Sequence, residues 1–344
     1  MTATRILDVH IGGARVRVHR RSMIYGVIVC VLILVVAVLT LTVGSAGVPP
    51  LELPAALVGR GSTIDSYLLG VLLGPRLVTG VFAGALLGVS GTLVQTLTRN
   101  PLGSPDVIGI SAGAGAGAAA AAMFGGGLVP TPLGAVAGAG LAVLILLVAT
   151  RGKLSSPNRI IIAGVGISAF GVAFTYFALT TFQQQDAAAL AAYIVGSLEA
   201  KDWTAALSVV AGVIVLVPAS ITLSGQLSLI ELGDDFAEAL GTSVARTRTL
   251  ALLTAIACAA VAVGAVGPIA FVALSAPQIA KRIARTSGAA VVISALTGAA
   301  IIALGDLLVQ QLPVTLPVGV LTAFIGAVYL GVVLAGEWKK GTVG

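Results

Sequence analysis

The side chains of this sequence that could act on another molecule concentrate in one acidic stretch. Residues 229–241 read Leu-Ile-Glu-Leu-Gly-Asp-Asp-Phe-Ala-Glu-Ala-Leu-Gly, in a chain whose formal net charge is +6. Leu232, Phe236 and Leu240 recur at i, i+4 and i+8, which would place them on one helical face. Apolar side chains between acidic ones favour docking of a protein partner, and the alternative is an ordinary interfacial loop.

The residues that bound this stretch predict short helices between two longer ones. Gly241 suits a helix stop, and Thr242 or Ser243 suits the cap of the helix that follows. We therefore predict two short helices in the connecting segment 224–249, at the surface of the protein.

Two other carboxylates stand out because they lie in or beside apolar runs. Asp306 lies inside such a run, and Asp106 lies near the end of another. Ionisable groups within a membrane mark ion or proton pathways, or they pair with one another. For Asp306 a structural cap or pair near the end of its helix is the alternative, and one isolated acid is thin support for a proton-coupled carrier.

Residues for catalysis or nucleotide binding do not form a recognisable set. The dipeptide Gly152-Lys153 is followed by Leu154 and lacks the glycine frame of a phosphate loop. His10 and His19 both lie near the N-terminus, without the spacing of a metal site. We expect that the protein is not an enzyme and that it holds no cofactor. If ATP drives it, partner subunits bind the ATP and Mg²⁺.

The elements that position these residues are predicted to be membrane-spanning helices. Hydrophobic residues make up 58% of the chain and charged residues only 9%, whereas a soluble domain carries about 25% charged residues. A span needs roughly 20 apolar residues. The clear runs are Ile24–Val43, Leu77–Leu97, Leu128–Thr150, Ile160–Thr180, Trp203–Leu223, Leu250–Val266 and Val318–Ala335. Shorter or glycine-broken runs are Val107–Phe124, Pro268–Ile283 and Gly288–Gln310. Together they predict an all-α integral membrane protein with about ten crossings.

Basic residues predict the orientation, because they collect on the cytoplasmic side of a membrane. With ten helices and both termini in the cytoplasm, all of the 19 basic residues except Arg60, Arg76 and Lys201 fall inside. The positive charge is then a topology signal, and we expect a lipid bilayer around the chain and no nucleic-acid partner. The predicted organisation is a basic N-terminal segment 1–22, a membrane domain 23–337 and a cytoplasmic tail 338–344.

Glycines recur every fourth residue in two of the predicted spans. Such stripes let helix backbones approach closely in lipid. Tight packing is therefore the first interpretation, and a pathway-lining role is the alternative. The glycines are Gly80, Gly84 and Gly88 in the second span and Gly109, Gly113 and Gly117 in the third.

Several motifs, taken together and in order, resemble the FecCD family of bacterial ABC-importer permeases for iron siderophores and cobalamin. They extend from the proline that precedes Arg76 to the last predicted span, about three-quarters of the chain. None of them alone would be specific. The motifs are Arg99–Gly109, Leu232–Gly241, Gly267-Pro268-Ile269, Ala276–Ala280 and Leu316–Thr322.

The resemblance implies an assembly of several subunits in the bacterial cytoplasmic (inner) membrane. Two permease subunits of ten helices each lie side by side above two ATPase subunits. In that family the segment between the sixth and seventh helices docks onto the ATPase and transmits its closure. Carried over by position, the coupling residues are Glu231, Leu232, Gly233, Asp234, Asp235, Phe236, Glu238, Leu240 and Gly241.

The resemblance also implies an extracytoplasmic siderophore-binding protein whose acidic residues meet permease arginines. Arg76 matches the second arginine of the family's Arg-Leu-Pro-Arg sequence, but Leu73 stands at the first. Gln310 stands where a further docking arginine is usual, and Arg60 is the candidate to compensate. The incomplete set favours a heterodimer, in which an unlike permease supplies the missing charges.

The predicted cargo is a ferric siderophore. Ala276-Pro277-Gln278 replaces the family's common Val-Pro-His, and with the Asn-Pro-Leu-Gly-Ser-Pro-Asp sequence it is similar to the second permease of ferric-enterobactin importers. This similarity implies a catecholate or another ferric siderophore, with cobalamin or haem as the alternative. Outside the family, the rivals are an ion-coupled secondary carrier and a non-transport membrane protein.

Overall fold

The computed structural model describes residues 6–11, 14–43, 47–124, 131–151, 157–181, 193–286, 288–314 and 316–338. Helices dominate these residues, and one π-helical turn (Leu68–Leu73) and one 3₁₀ turn (Pro105–Ile108) occur between them. The elements are β1 (Ile6–Ile11), β2 (Ala14–His19), α1 (Arg20–Thr42), α2 (Leu53–Leu57), α3 (Thr63–Tyr67), α4 (Gly74–Thr98), α5 (Ile110–Phe124), α6 (Thr131–Ala149), α7 (Pro157–Thr181), α8 (Trp203–Leu232), α9 (Asp234–Ala239), α10 (Val244–Val266), α11 (Val272–Ala284), α12 (Val291–Gln310) and α13 (Val318–Trp338).

Seven helices in the described residues are long and apolar enough to cross a membrane. They are α1, the continuous run formed by α3 and α4, and α6, α7, α8, α10 and α12. The apolar stretches Ile110–Phe124 of α5 and Val318–Tyr329 of α13 are shorter. Helix α11 has 13 residues and reaches about 20 Å, less than the roughly 30 Å of a hydrocarbon core. The count of ten crossings therefore stays a prediction.

The N-terminal segment differs from the all-α expectation. Strands β1 and β2 pair antiparallel, with Ile6 opposite His19 and Ile11 opposite Ala14. Apolar and polar residues alternate through much of both strands, which is the pattern of a strand and not of a helix. The predicted tail 338–344 lies, after Trp338, outside the described residues.

The connecting segment contains one short helix, so the prediction of two was wrong. Helix α8 continues without a break to Leu232, because the chain offers no glycine or proline between positions 226 and 232. Gly233 then breaks it at φ +136°, a conformation that side chains other than glycine rarely adopt. Leu232 therefore lies in a different helix from Phe236, and the expected shared face is split. Gly241, at φ +81°, follows the end of α9. Ser243 is the N-cap residue of α10, but its side chain forms no capping hydrogen bond.

Helix α4 lies at the centre and packs against α8, α10, α11 and α12. Its glycines lie where neighbouring backbones come close. A Cβ atom on Gly84 would lie 2.4 Å from the carbonyl oxygen of Gly298, and one on Gly88 would lie 2.2 Å from that of Ser294. A Cβ on Gly80 would meet the Leu198 side chain at 2.9 Å. The stripe therefore lies at close helix packing, mainly between α4 and α12.

The second stripe packs α5 against its neighbours, but its first glycine is not helical. A Cβ on Gly117 would lie 2.1 Å from the carbonyl oxygen of Gly134, and Gly113 faces Gly138 in the same way. Gly109 comes before α5, at φ +88°, and faces α7 instead. The regular spacing therefore spans a turn as well as a helix.

Candidate functional site

A cavity of about 810 Å³ lies among α5, α7, the start of α13 and two irregular segments. Most of its lining is apolar, as expected for a pathway or ligand site in a membrane protein. The exposed aromatic side chain of Tyr176, on α7, lies at its edge. Polar groups that line it are Asp106, Ser111, Ser168, Thr175 and Tyr176.

Two of the sequence motifs build one wall of this cavity. The backbone N–H of Gly319 donates to the Gly196 carbonyl at 3.0 Å, and that of Ser197 donates to the Val266 carbonyl at 2.9 Å. A Cβ on Gly319 would lie 1.7 Å from the Val195 carbonyl oxygen. The glycines of these motifs thus let the segment around Gly196 lie directly against α10 and α13. Sequence reasoning found the motifs but not this shared role.

Asp106 is the acidic group of the cavity. It lies in the 3₁₀ turn before α5, and its carboxylate accepts a hydrogen bond from the Ser111 hydroxyl. Loss of hydration raises the pKa of the Asp106 carboxyl, and the Ser111 hydrogen bond opposes this shift. In the part of the chain that the structure describes, no group of three His, Cys, Asp or Glu residues gathers as a metal site.

The acidic stretch has an inward-facing part held by ion pairs. The Arg248 guanidinium binds the Asp234 carboxylate with both terminal nitrogens, at 2.9 Å each. Arg99, which follows α4, binds the same carboxylate and donates from Nε to the Ile230 carbonyl at 3.1 Å. Lys281 of α11 lies 3.6 Å from Glu231. These contacts tie α9 and the end of α8 to three other helices.

The other part of the stretch is exposed. Leu232, Phe236 and Leu240 are 69%, 50% and 56% exposed, which is high for large apolar side chains next to carboxylates. Asp235 and Glu238 are exposed and form no ion pair among the residues that the structure describes. Among the coupling candidates the structure therefore separates residues that hold the helix from residues that face outward.

A side-chain network links the motif after α4 to the motif in α11. Gln278 donates from Nε2 to Oε1 of Gln95 at 2.7 Å and to the Pro101 carbonyl at 3.3 Å. Gln95 in turn donates to the Leu274 carbonyl at 2.9 Å. Gln278 therefore contacts the Arg99–Gly109 motif directly.

The opposite end of α4 carries a buried ion pair. Arg76 donates from Nε to both oxygens of Asp306, at 3.0 Å, and from Nη2 to Oδ1 at 2.7 Å. Gln310 donates to Oδ2 at 2.8 Å. The Asp306 side chain is only 4% exposed and that of Arg76 19%. Of the two predicted docking arginines, Arg76 is thus paired with Asp306 inside the protein. Arg60 is exposed and forms no ion pair with the residues that the structure describes.

Sequence reasoning considered a structural pair for Asp306 but did not find its partner. The available signal was that each residue is a single charge in an apolar helix, at helix ends that the predicted topology places on the same side. Lys201 was also missed. Its ammonium group lies 5.6 Å from the centre of the Tyr193 ring. Burial lowers the pKa of Lys201 to about 8, against the opposing charge of Asp202.

Comparison with protein families matches residues 32–335 to the FecCD transport family. The ferric enterobactin transport system permease protein FepG of Escherichia coli (strain K12) is 36% identical over 327 residues, which cover 94% of this chain and 99% of that protein. The Fe(3+)-citrate import system permease protein YfmE of Bacillus subtilis (strain 168) is 32% identical, with coverage of 94% and 98%. The Fe(3+) dicitrate transport system permease protein FecD of E. coli (strain K12) is 38% identical over 260 residues, 74% of this chain and 80% of that protein.

Among solved structures, a metal-chelate type ABC transporter in an inward-facing conformation has a similar fold. The TM-score is 0.78 at 22% sequence identity, and the match covers 91% of this chain and 99% of that chain. At this identity the similarity concerns the fold alone. The helix arrangement described above is therefore similar to that of this solved chain.

Proposed function

The chain belongs to the FecCD transport family, and from this premise we propose that it is the permease subunit of an ATP-driven importer of ferric siderophores in the bacterial cytoplasmic membrane. The observation that carries the proposal is where the family motifs lie. They build a wall of the cavity at one place and the charged surface around α9 at another. One chain thus combines a cavity through which cargo can pass with a surface on which an ATPase subunit can dock.

We propose that the cavity is one half of the translocation pathway and that a second permease completes it. The cavity lies between α7 and α13, and both helices leave large apolar side chains uncovered. Phe170 and Tyr176 of α7 and Phe324 of α13 are examples. Leu73 and Gln310, which replace arginines usual in the family, favour an unlike permease over a second copy.

We propose that one of the two ATPase subunits of the importer docks on the exposed side of α9. Leu232, Phe236 and Leu240 supply apolar contact there, and Asp235 and Glu238 supply charge. ATP and Mg²⁺ then bind to the ATPase subunits, and this chain needs no cofactor of its own. The same orientation places α9 and both termini in the cytoplasm, in accord with the distribution of basic residues.

We propose that the siderophore-binding protein docks on the surface near Arg76, at the start of α4. Arg60, which forms no ion pair with the residues that the structure describes, offers a charge to an acidic partner, whereas the Arg76–Asp306 pair gives that surface a fixed shape. An interface that lacks two of the usual arginines should depend on the partner permease for the rest.

For the cargo we propose a catecholate. The support is the similarity to FepG over nearly the full length of both chains, and the relatives named for citrate chelates are shorter in coverage or lower in identity. The polar groups of the cavity are too few to strip iron from a chelator, so the chelate would pass intact.

Uptake of radioactive iron by a deletion strain tests this function. Ferric enterobactin uptake should disappear in the strain, return with the intact gene, and require the ATPase subunit. Uptake of a ferric hydroxamate should stay unchanged. Unchanged uptake of every ferric chelate would contradict the assignment, and uptake that survives loss of the ATPase but collapses with the ion gradient would indicate a secondary carrier.

A further inference from the structure

One carboxylate fastens the short helix α9 to the rest of the protein. Asp234 is its first residue, and two arginines from different parts of the chain converge on it. Arg248 comes from α10 and Arg99 from the end of α4. Because Arg99 also donates a hydrogen bond to the Ile230 carbonyl, it contacts both the end of α8 and the start of α9.

The segments that hold α9 are the ones that lead to the cavity. Beyond Arg99 the chain passes through Pro101 to Asp106, which lines the cavity. Helix α11 contacts the same stretch, because Gln278 donates to the Pro101 carbonyl. One turn further along α11, Lys281 pairs with Glu231. One covalent route, from Arg99 to Asp106, therefore connects the neighbourhood of α9 with a cavity wall, and contacts of Lys281 and Gln278 join α11 to the same stretch.

The Arg99–Asp234 ion pair is suited to positioning and contributes little to stability. The side chains of Arg99 and Asp234 are 41% and 40% exposed, and ion pairs with such access to water stabilise a fold only weakly. Arg248, which is only 15% exposed, binds the same carboxylate with two nitrogens, and this geometry fixes its direction as well as its distance. Loss of Asp234 should thus leave the fold intact and loosen α9.

The neighbouring acid has a different environment. Asp235 follows Asp234 directly, has the same side chain and is exposed, without an ion pair in the described residues. Two adjacent carboxylates thus face in different directions, one toward Arg99 and Arg248 and the other away from the protein.

We propose that Asp234 is a positioning residue that couples displacement of α9 to the cavity, through Arg99 and the segment that leads to Asp106. The inference rests on the proposed function, since it assumes that an ATPase moves α9. In this arrangement Asp235 helps to bind the ATPase, whereas Asp234 transmits the displacement of α9 by the ATPase to the cavity. Binding and coupling then depend on different members of one acidic stretch.

The test uses the complete importer reconstituted in vesicles, with the binding protein and ferric enterobactin as the probe. Asp234→Asn should keep the ATPase subunits bound and ATP hydrolysis near the wild-type rate, but lower chelate uptake per ATP hydrolysed several-fold. Asp234→Glu should restore part of that ratio. Asp235→Asn is the matched control, and it should weaken ATPase binding while the complexes that form keep the wild-type ratio.

Arg99→Gln provides a second route to the same answer. It should lower the uptake-to-hydrolysis ratio as Asp234→Asn does. The double variant should lose less than the sum of the two single effects, because both variants remove the Arg99–Asp234 contact. An unchanged ratio in Arg99→Gln, or loss of ATPase binding in folded Asp234→Asn, would overturn the inference. Absence of ATP-dependent uptake by the wild-type complex would instead refute the proposed function.

Discussion

The two ends of α4 carry the same pair of residue types in opposite environments. At the first end, Arg76 binds Asp306 of α12 in the protein interior, where the carboxylate is 4% exposed. At the other end, Arg99 binds Asp234 at the surface, where both side chains are about two-fifths exposed. Along helix α4 (Gly74–Thr98), the rise from Arg76 to Arg99 separates the two pairs by about 35 Å.

The difference indicates what each pair does. A buried ion pair whose oxygens are all hydrogen-bonded locks two helices, because breaking it strands a charge away from water. A hydrated pair can break and form again at little cost. The Arg76 end is therefore a fixed surface, and the Asp234 end is a surface that can move. A permease driven by an ATPase needs this difference between its two ends.

The largest expected effect is at the fixed end. Asp306→Leu leaves Arg76 buried without a partner and should lower the free energy of unfolding by about 3 kcal/mol. Arg76→Met combined with Asp306→Leu should recover most of that loss. Asp234→Asn, measured in the same way in detergent, should cost less than about 1 kcal/mol. Equal losses from Asp306→Leu and Asp234→Asn would remove the distinction between the two ends.

The next effect concerns the middle of α4, through which the two ends are joined. Gly88→Ala would place a Cβ atom 2.2 Å from the Ser294 carbonyl oxygen, and forcing α4 and α12 apart should cost about 2 kcal/mol in the free energy of unfolding. Gly225→Ala is the control, since a Cβ atom there would meet no atom within 4 Å apart from the neighbouring backbone of its own helix. In the interior of α8 it should stabilise the protein by up to about 1 kcal/mol. A tolerated Gly88→Ala would show that the glycine stripe is not a packing feature.

Much of this arrangement could be predicted from the sequence, because lipid imposes long apolar runs that a reader can count. The runs beginning at Ile24, Leu77 and Trp203 all correspond to helices. The connecting segment could not be predicted in the same way. Whether α8 stops near Leu223 or runs on to Leu232 depends on the left-handed backbone at Gly233, and a glycine permits that conformation without requiring it.

The sequence identified the residues of the acidic stretch, but it did not show which way each side chain faces. The acidic stretch was found, yet Asp234 and Asp235 look equivalent in the sequence. Their difference arises from Arg99, 135 residues away along the chain, and no local pattern encodes such a contact. The Arg76–Asp306 pair joins positions 230 residues apart and escaped for the same reason. Periodicity predicts elements, while pairings between distant elements come from tertiary packing.

A smaller effect tests the movable end directly. Asp235→Lys with Glu238→Lys should weaken ATPase binding about tenfold, or about 1.4 kcal/mol, while membrane insertion stays normal. Co-purification and a titration with the ATPase measure it. The control is Glu52→Lys with Glu199→Lys, which makes the same charge change near the Arg76 end and should leave binding unchanged. Normal co-purification and uptake in the first variant would contradict the docking assignment.

The smallest effect concerns a second buried charge near the fixed end. Burial lowers the pKa of Lys201 from 10.5 to about 8 in the folded protein, so between these pH values the unfolded chain binds more protons than the folded one. The free energy of unfolding should therefore rise with pH from about 8 to 10.5. Partial exposure keeps the gain to about 1 kcal/mol at most. Lys201→Met should be more stable than wild type at pH 7, and its stability should lack this rise. A wild-type protein whose stability rises no more than that of Lys201→Met over this range would show that Lys201 is hydrated in the folded protein.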